Sequence, residues 1–335
     1  MTDRLCDVVI PTRNRPEALR RCLLALADQT SRSFGIIIVD DHSDEPLDGV
    51  VEDVLAGATF GIEPTLLRLE QQSGPARARN AGVDASSGKY VIFIDDDVVA
   101  DRHLVDIHLL EMAATEDSAV PVITRGPFVE PVDWKPNAWN LWEARMATRG
   151  TNAILRGDYV PTCQQFHTGN NCMSVALFRE AGGFDESYKR LEDDEFGLRL
   201  NEMGCTLRFL PSALAWHYSN RSLEAWVAIP RAYAFYTVQL DAQYPSQRYL
   251  EIREADRRRS NVLLRAARAL LTGRWRTPSA VGFAVGVGRF AHRLRLTPVT
   301  MAAMSLAYDL SYTDSLRETL SEPRPEPRST RGPIH

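Results

Sequence analysis

Four short runs rich in Val, Ile and Leu recur in the first hundred residues, each followed by a segment with helical spacing. The runs Asp7–Ile10, Gly35–Val39, Thr65–Leu69 and Tyr90–Ile94 predict strands. After the first, Pro16 stands where an opening helical turn accepts proline, and Leu19, Cys22, Leu23 and Leu26 fall on one apolar stripe. Helices are expected over Leu47–Ala56, Pro75–Ala85 and Leu104–Ala114. A strand–helix succession of this kind folds as a mostly parallel sheet covered by helices, an α/β architecture.

Beyond Val120 the pattern loosens into a Pro- and Trp-rich stretch, Gly126–Trp142, and then mixes strands and helices from His167 to His217. The clearest helix there is Asp193–Met203, with Gly204 as its stop signal. The spacing of Trp134, Trp139 and Trp142 fits core packing first and an apolar binding wall second. From Leu223 onward the spacing is helical, through an apolar run at Ser279–Gly288 and a helix over Val299–Ala307, and residues 322–335 have the composition of a disordered tail.

A net charge of −5 and a pI near 5.9 argue against a nucleic-acid binder, which carries a basic excess. Five cysteines without CxxC spacing give neither a zinc site nor a disulfide framework, which fits a reducing cytoplasm. No basic-then-apolar leader opens the sequence, and no run reaches the roughly 18 apolar residues of a spanning helix. Between Arg248 and Arg276, however, nine arginines face three acidic residues. With the apolar run that follows, the region 248–295 suits peripheral contact with an anionic membrane, packing within the protein, or a homodimer contact.

In an open parallel sheet, ligands bind beyond the carboxyl ends of the strands. Three of those ends are chemically loaded: Pro11-Thr12-Arg13-Asn14-Arg15, Asp40-Asp41-His42-Ser43 and Asp95-Asp96-Asp97. Two like charges about 4 Å apart repel by about 4 kcal/mol at an effective dielectric near 20, so adjacent aspartates after a buried strand need compensation. A divalent cation shared with substrate phosphates supplies it, and so does a solvated acidic turn with arginine partners. Ser73-Gly74-Pro75 leads into a helix bearing Arg77 and Arg79, where backbone N–H groups and guanidinium groups suit anionic phosphates.

In order along residues 5 to 220, these stretches resemble the family 2 glycosyltransferases. The matching segments are VVIPTRNRPEALRRCLLALADQT, IIIVDDHSDE, GPARARNAG, YVIFIDDDV, TGNNCMSVALFREAGGFDESY and LEDDEFGLRL. The resemblance implies a GT-A fold over 1–220, with a donor half of about 1–100 and an acceptor half of about 101–220, followed by a helical C-terminal extension over 221–321. It implies an inverting transfer from a nucleotide-sugar donor, a UDP-sugar as first expectation, to a carbohydrate, lipid-linked or small-molecule acceptor. Residue by residue, it places Pro11, Arg13 and Asp41 beside the nucleotide base, and Arg79, Asp95 and Asp96 near the donor. Asn170, Asn171 and Glu192 fall on the acceptor side. Asp97, Asp95 and His217 would hold Mn2+ or Mg2+, and Asp193 would be the general base. Arg13 departs from the family pattern, in which an aromatic residue is commoner at that position.

The positive end of a helix favours a charged carboxylate, which suits Asp193 for taking a proton from an acceptor hydroxyl. Capping alone would need one of the four acidic residues Glu192–Glu195. A nucleotidyltransferase or an NAD-dependent oxidoreductase should carry a Gly-rich loop after the first strand, and Pro11–Arg15 is not one. The nucleotidyltransferase stays as an alternative beside a non-catalytic nucleotide-sugar-binding or partner subunit, which the intact Asp95, Asp97 and Asp193 oppose.

Overall fold

A computed structural model describes residues 4–57, 64–247, 249–250, 270–271 and 277–321 of the chain. The chain forms two units, one comprising Met1–Trp134 and Ala147–Tyr218, the other Lys135–Met146 and Ser219–Arg331. The basic stretch 248–276 lies almost wholly outside the described residues, as does the tail 322–335.

The first unit is built on a seven-stranded sheet ordered β3-β2-β1-β4-β8-β6-β9. Its strands are β1 (Cys6–Thr12), β2 (Phe34–Asp40), β3 (Thr65–Arg68), β4 (Tyr90–Ile94), β6 (Val122–Arg125), β8 (Asn170–Ser174) and β9 (Thr206–Phe209). β1 pairs in parallel with β2 and β4, β2 with β3, and β6 with β9, while β8 runs antiparallel to both β4 and β6. All seven residues of β2 are buried, as a strand covered on both faces requires. A smaller sheet joins β5 (Val98–Ala100), β10 (Ala215–His217) and β7 (Phe128–Val129).

Alternation of side chains divides the core into two layers. Val8, Ile10, Ile36, Ile38, Ile92 and Cys172 pack with α1 (Pro16–Ala27) and α4 (Leu104–Ala114). Val9, Ile37, Val39, Phe93, Ile123 and Met173 face the other way, with α3 (Pro75–Asp84), α6 (Val175–Glu180) and α7 (Glu192–Glu202). In this second layer Phe93, Phe166, Phe178, Phe184 and Phe196 form a continuous aromatic cluster, with neighbouring centroids 4.8 to 6.4 Å apart. Helix α3 lies against β1 so closely that a Cβ at Gly82 would come within 2.4 Å of Val9 Cγ1. That approach fixes the helix carrying Arg79. Helix α2 (Asp48–Gly57) belongs to the layer of α1 and α4, where it buries Val51 and Val54.

The second unit is helical. It contains the first turns of α5 (Ala138–Leu155), α8 (Leu223–Gln243), and two further helices, α9 (Thr277–Arg293) and α10 (Thr297–Ser321). Trp142 packs edge-on to Trp226 and donates to Ser305 Oγ at 2.8 Å, and Trp139 donates to Arg221 O, so both tryptophans serve packing. The apolar run Ser279–Gly288 is part of α9 and buries Val281, Ala284 and Val285. None of the described helices is long and apolar enough to cross a membrane.

Candidate functional site

The three loaded strand ends converge on one rim of the seven-stranded sheet. Asp40, which ends β2, is buried and fully engaged: Oδ1 accepts from Ser43 N and Oγ, and Oδ2 pairs with Arg68 at 2.8 Å. Asp41 reaches the entry of α3, where its two oxygens accept from Ser73 N (2.6 Å) and Gly74 N (2.9 Å). Gly74 is the N-cap at φ +93° and Pro75 opens the helix, so an aspartate from another strand supplies the capping acceptor. Arg13 lies alongside, donating to His42 O at 3.4 Å and standing 4.0 Å from Asp44, while Pro11 is the half-buried penultimate residue of β1.

The consecutive aspartates after β4 point to different partners. Asp95 pairs with Arg79 at 2.7 Å. Asp96 is buried, accepts from Thr12 Oγ1 at 2.8 Å and meets Arg15 at 3.0 Å. Asp97 takes a second contact from the same Arg15 nitrogen, also at 3.0 Å, and its other oxygen lies 3.1 Å from His217 Nε2. Burial and the adjacent Asp97 push the Asp96 carboxyl up to about 6, with Arg15 and Thr12 pulling against them. Pairing of β10 with β5 puts His217 opposite Val98 and beside the turn. Gly169, at φ +105°, faces Asp95 so closely that a Cβ there would stand 2.8 Å from Oδ2.

Arg79 joins this turn to α7. It is 4% exposed, and its other terminal nitrogen pairs with Glu192 at 2.9 Å. Burial and the neighbouring Asp193 raise the Glu192 carboxyl, and Arg79 opposes the rise. The α7 N-cap, Leu191, has φ +60°, a conformation costing about 1–3 kcal/mol that places Glu192 and Asp193 in the first helical turn. Asp193 is half-buried, and its Oδ1 accepts from Asp194 N.

Adjacent residues of β8 part company. Asn170 lies in the α4 layer, donating to Pro127 O and Ala213 O and receiving His108 Nε2 on Oδ1. Its hydrogen-bonding capacity is spent inside the protein, so its side chain supports the fold and does not face an acceptor. Asn171 lies on the α7 side, donates to Phe166 O and His167 O, and has a buried Oδ1 without a partner. Opposite it, Arg125 closes β6 and is 6% exposed, and burial draws its pKa down to about 10.

Sequence reasoning missed Arg15, Thr12, Gly169 and Arg125. Their signals were present: Thr12 and Arg15 sit in the loaded loop after β1, and Arg125 is a lone charge ending the apolar strand Val122–Ile123–Thr124. Among the described residues, no group of three or more His, Cys, Asp or Glu side chains is placed to hold a metal ion unaided. Of the three residues expected to hold a cation, Asp97 and His217 stand 3.1 Å apart, whereas Asp95 pairs with Arg79.

Comparison with known proteins bears on the family and the fold. Residues 7–179, more than half of the chain, match the sequence model of glycosyl transferase family 2. The pre-mycofactocin glycosyltransferase of Mycobacterium tuberculosis H37Rv is 29% identical over 245 residues, covering 72% of this chain and 48% of its own length. This chain thus spans about half the length of that relative. The amylovoran biosynthesis glycosyltransferase AmsB of Erwinia amylovora is 27% identical over 234 residues, 66% of this chain and 72% of AmsB. Among solved structures, S. aureus TarS 1-349 in complex with UDP superposes with a TM-score of 0.51 at 14% identity, covering 94% of this chain and 90% of that one. With the family match lying over its central sheet, the chain belongs to glycosyl transferase family 2 and has the GT-A fold.

Proposed function

We propose that the chain transfers a sugar from a nucleoside-diphosphate sugar, a UDP-sugar in the first instance, to an acceptor hydroxyl with inversion at the anomeric carbon. The observation that carries this reading is the double ion pair of Arg79, which ties Asp95 after β4 to Glu192 at the head of α7. The Glu192–Asp193 pair is thereby held to the rim that bears the acidic turn. Asp193 takes the proton from the acceptor hydroxyl as the nucleoside diphosphate leaves from the opposite face of the sugar. Glu192 is committed to Arg79, so it orients the helix end and leaves the base role to its neighbour. Arg13 and Asp41 line the nucleotide end, the latter by shaping the Ser73–Gly74 entry of α3.

Asp97 and His217, with Asp95, would hold Mn2+ or Mg2+, whose charge offsets the negative charge gathering on the departing diphosphate. Arg15 contacts Asp96 and Asp97, and donor binding with a cation displaces part of that contact. Calorimetric titration of UDP with and without manganese tests the reading. Metal-dependent binding that is lost in Asp97→Ala supports it, and binding indifferent to both the metal and this substitution refutes it.

The second unit suits peripheral attachment to an anionic bilayer. Phe283, Phe290, Leu294 and Leu296 are 48–74% exposed on and just after α9, beside Arg289, Arg293 and Arg295. Flotation of the full chain with phosphatidylglycerol vesicles, absent with phosphatidylcholine alone, is the expected result.

A further inference from the structure

Arg125 is buried, and among the described residues no salt bridge offsets its charge. It ends β6, is 6% exposed, and among the described residues has neither an ion-pair partner nor a side-chain hydrogen bond, its Nε being fully enclosed. The Phe209 ring lies 6.0 Å from the guanidinium carbon, and the titratable groups near enough to act on it are Tyr159 and Asp193. A buried unpaired charge is costly, and packing on a phenylalanine offsets only part of that cost.

A second orphan stands directly opposite. The register of β4, β8 and β6 aligns Phe93, Asn171 and Arg125, so the three side chains share the α7 face of the sheet. Because Asn171 Nδ2 donates to two carbonyls, the amide orientation is fixed and Oδ1 is an acceptor awaiting a donor. A planar donor fork and a carboxamide oxygen thus sit side by side near Asp193. A neutral sugar would satisfy Asn171 and leave the guanidinium unmatched. A carboxylate or phosphate with a neighbouring hydroxyl satisfies both.

Accepting Asp193 as the base, we propose that Arg125 and Asn171 form an acceptor subsite, Arg125 binding an oxyanion of the acceptor and Asn171 Oδ1 receiving a nearby hydroxyl. The acceptor is then an acidic molecule, carrying its carboxylate or phosphate close to the hydroxyl that is glycosylated.

The test uses the full chain and Arg125→Met. Calorimetric titrations with D-glucuronate, glycerol 1-phosphate, inorganic phosphate and methyl glucoside are run with manganese and UDP, and again without UDP. At least one anionic probe should bind the wild type and lose tenfold or more in Arg125→Met, with methyl glucoside unaffected; whether glucuronate or glycerol phosphate responds separates carboxylate from phosphate. Because Arg125→Met removes an unpaired charge, its Tm without ligand should match or exceed that of the wild type. Anionic probes that treat both proteins alike, or a lower Tm in the variant, overturn the subsite. An Arg125-dependent preference for UDP-glucuronate over UDP-glucose also overturns it, by placing the oxyanion on the donor. Failure of UDP to bind would count against the donor reading alone, since the titrations without UDP judge the subsite separately.

Discussion

His108 offers a quantitative check on the core beneath the site. It is fully buried in α4, with Nδ1 2.7 Å from Thr124 Oγ1 and Nε2 3.0 Å from Asn170 Oδ1. Asn170 Nδ2 already donates to two carbonyls, so its Oδ1 accepts, Nε2 carries the proton, and Nδ1 receives the Thr124 hydroxyl. Burial lowers the His108 pKa to about 4 from an ordinary 6.5. The folded state therefore holds the neutral ring, and its advantage is complete above pH 6.5 and lost as pH falls through 4. At 1.36 kcal/mol per unit, the loss reaches about 3 kcal/mol at pH 4. His108→Gln keeps a donor toward Asn170 and an acceptor toward Thr124 but does not titrate. Urea unfolding of both proteins between pH 7.5 and 4, followed by far-UV circular dichroism, isolates the term, because carboxylate titration is common to both. The stability difference should move by about 3 kcal/mol in favour of the variant as the pH falls. A difference constant to within about 0.5 kcal/mol would refute a buried neutral histidine.

Asp193→Asn should abolish transfer while leaving UDP affinity nearly intact, which single-turnover assays and calorimetry would separate. Arg79→Met leaves the buried Glu192 without its cation and should cost about 3–5 kcal/mol in urea unfolding; an unchanged midpoint would show that the pair does not hold α7. Gly169→Ala imposes a side chain at φ +105° and presses on Asp95, so a loss of about 1–3 kcal/mol is expected, with turnover falling further than stability alone would explain.

The central parallel strands β1, β2 and β4 were legible because they are buried on both faces and appear as unbroken apolar runs. Tyr90–Ile94 and Leu104–Ala114 occur with the expected boundaries, and the stripe on α1 buries the four residues its spacing selects. The small sheet was harder, since β5, β7 and β10 have two or three residues each, too few for a period to show. In β8, Asn170 and Asn171 look equivalent along the chain, but alternation sends one to a histidine in the core and the other to the α7 side. The acidic turn behaved similarly: carboxylates were identifiable, whereas their sorting between Arg79, Arg15 and His217 depends on residues 16 to 120 positions away. Contacts over such separations leave no local pattern.

That sorting explains how the rim holds so many carboxylates together. Asp95 and Glu192 share Arg79, and Asp96 and Asp97 share one nitrogen of Arg15, so two guanidinium groups serve four carboxylates. The two arginines differ in surroundings: Arg79 is sealed in the core, whereas the Arg15 side chain is 37% exposed. Displacing Arg79 would leave a buried glutamate unpaired, and displacing Arg15 would leave the buried Asp96 and Asp97 without their guanidinium, so both losses cost stability. The Arg15 side chain reaches solvent and can swing away, so a cation at the Asp97–His217 end can take over its charge, whereas Arg79 has no such substitute and holds α7 in place. Removing each in turn should separate the two effects: manganese with UDP should restore much of the midpoint lost in Arg15→Ala and none of that lost in Arg79→Met. If the cation restored neither, Arg15 would be a structural tie and the division of labour along the rim would be wrong.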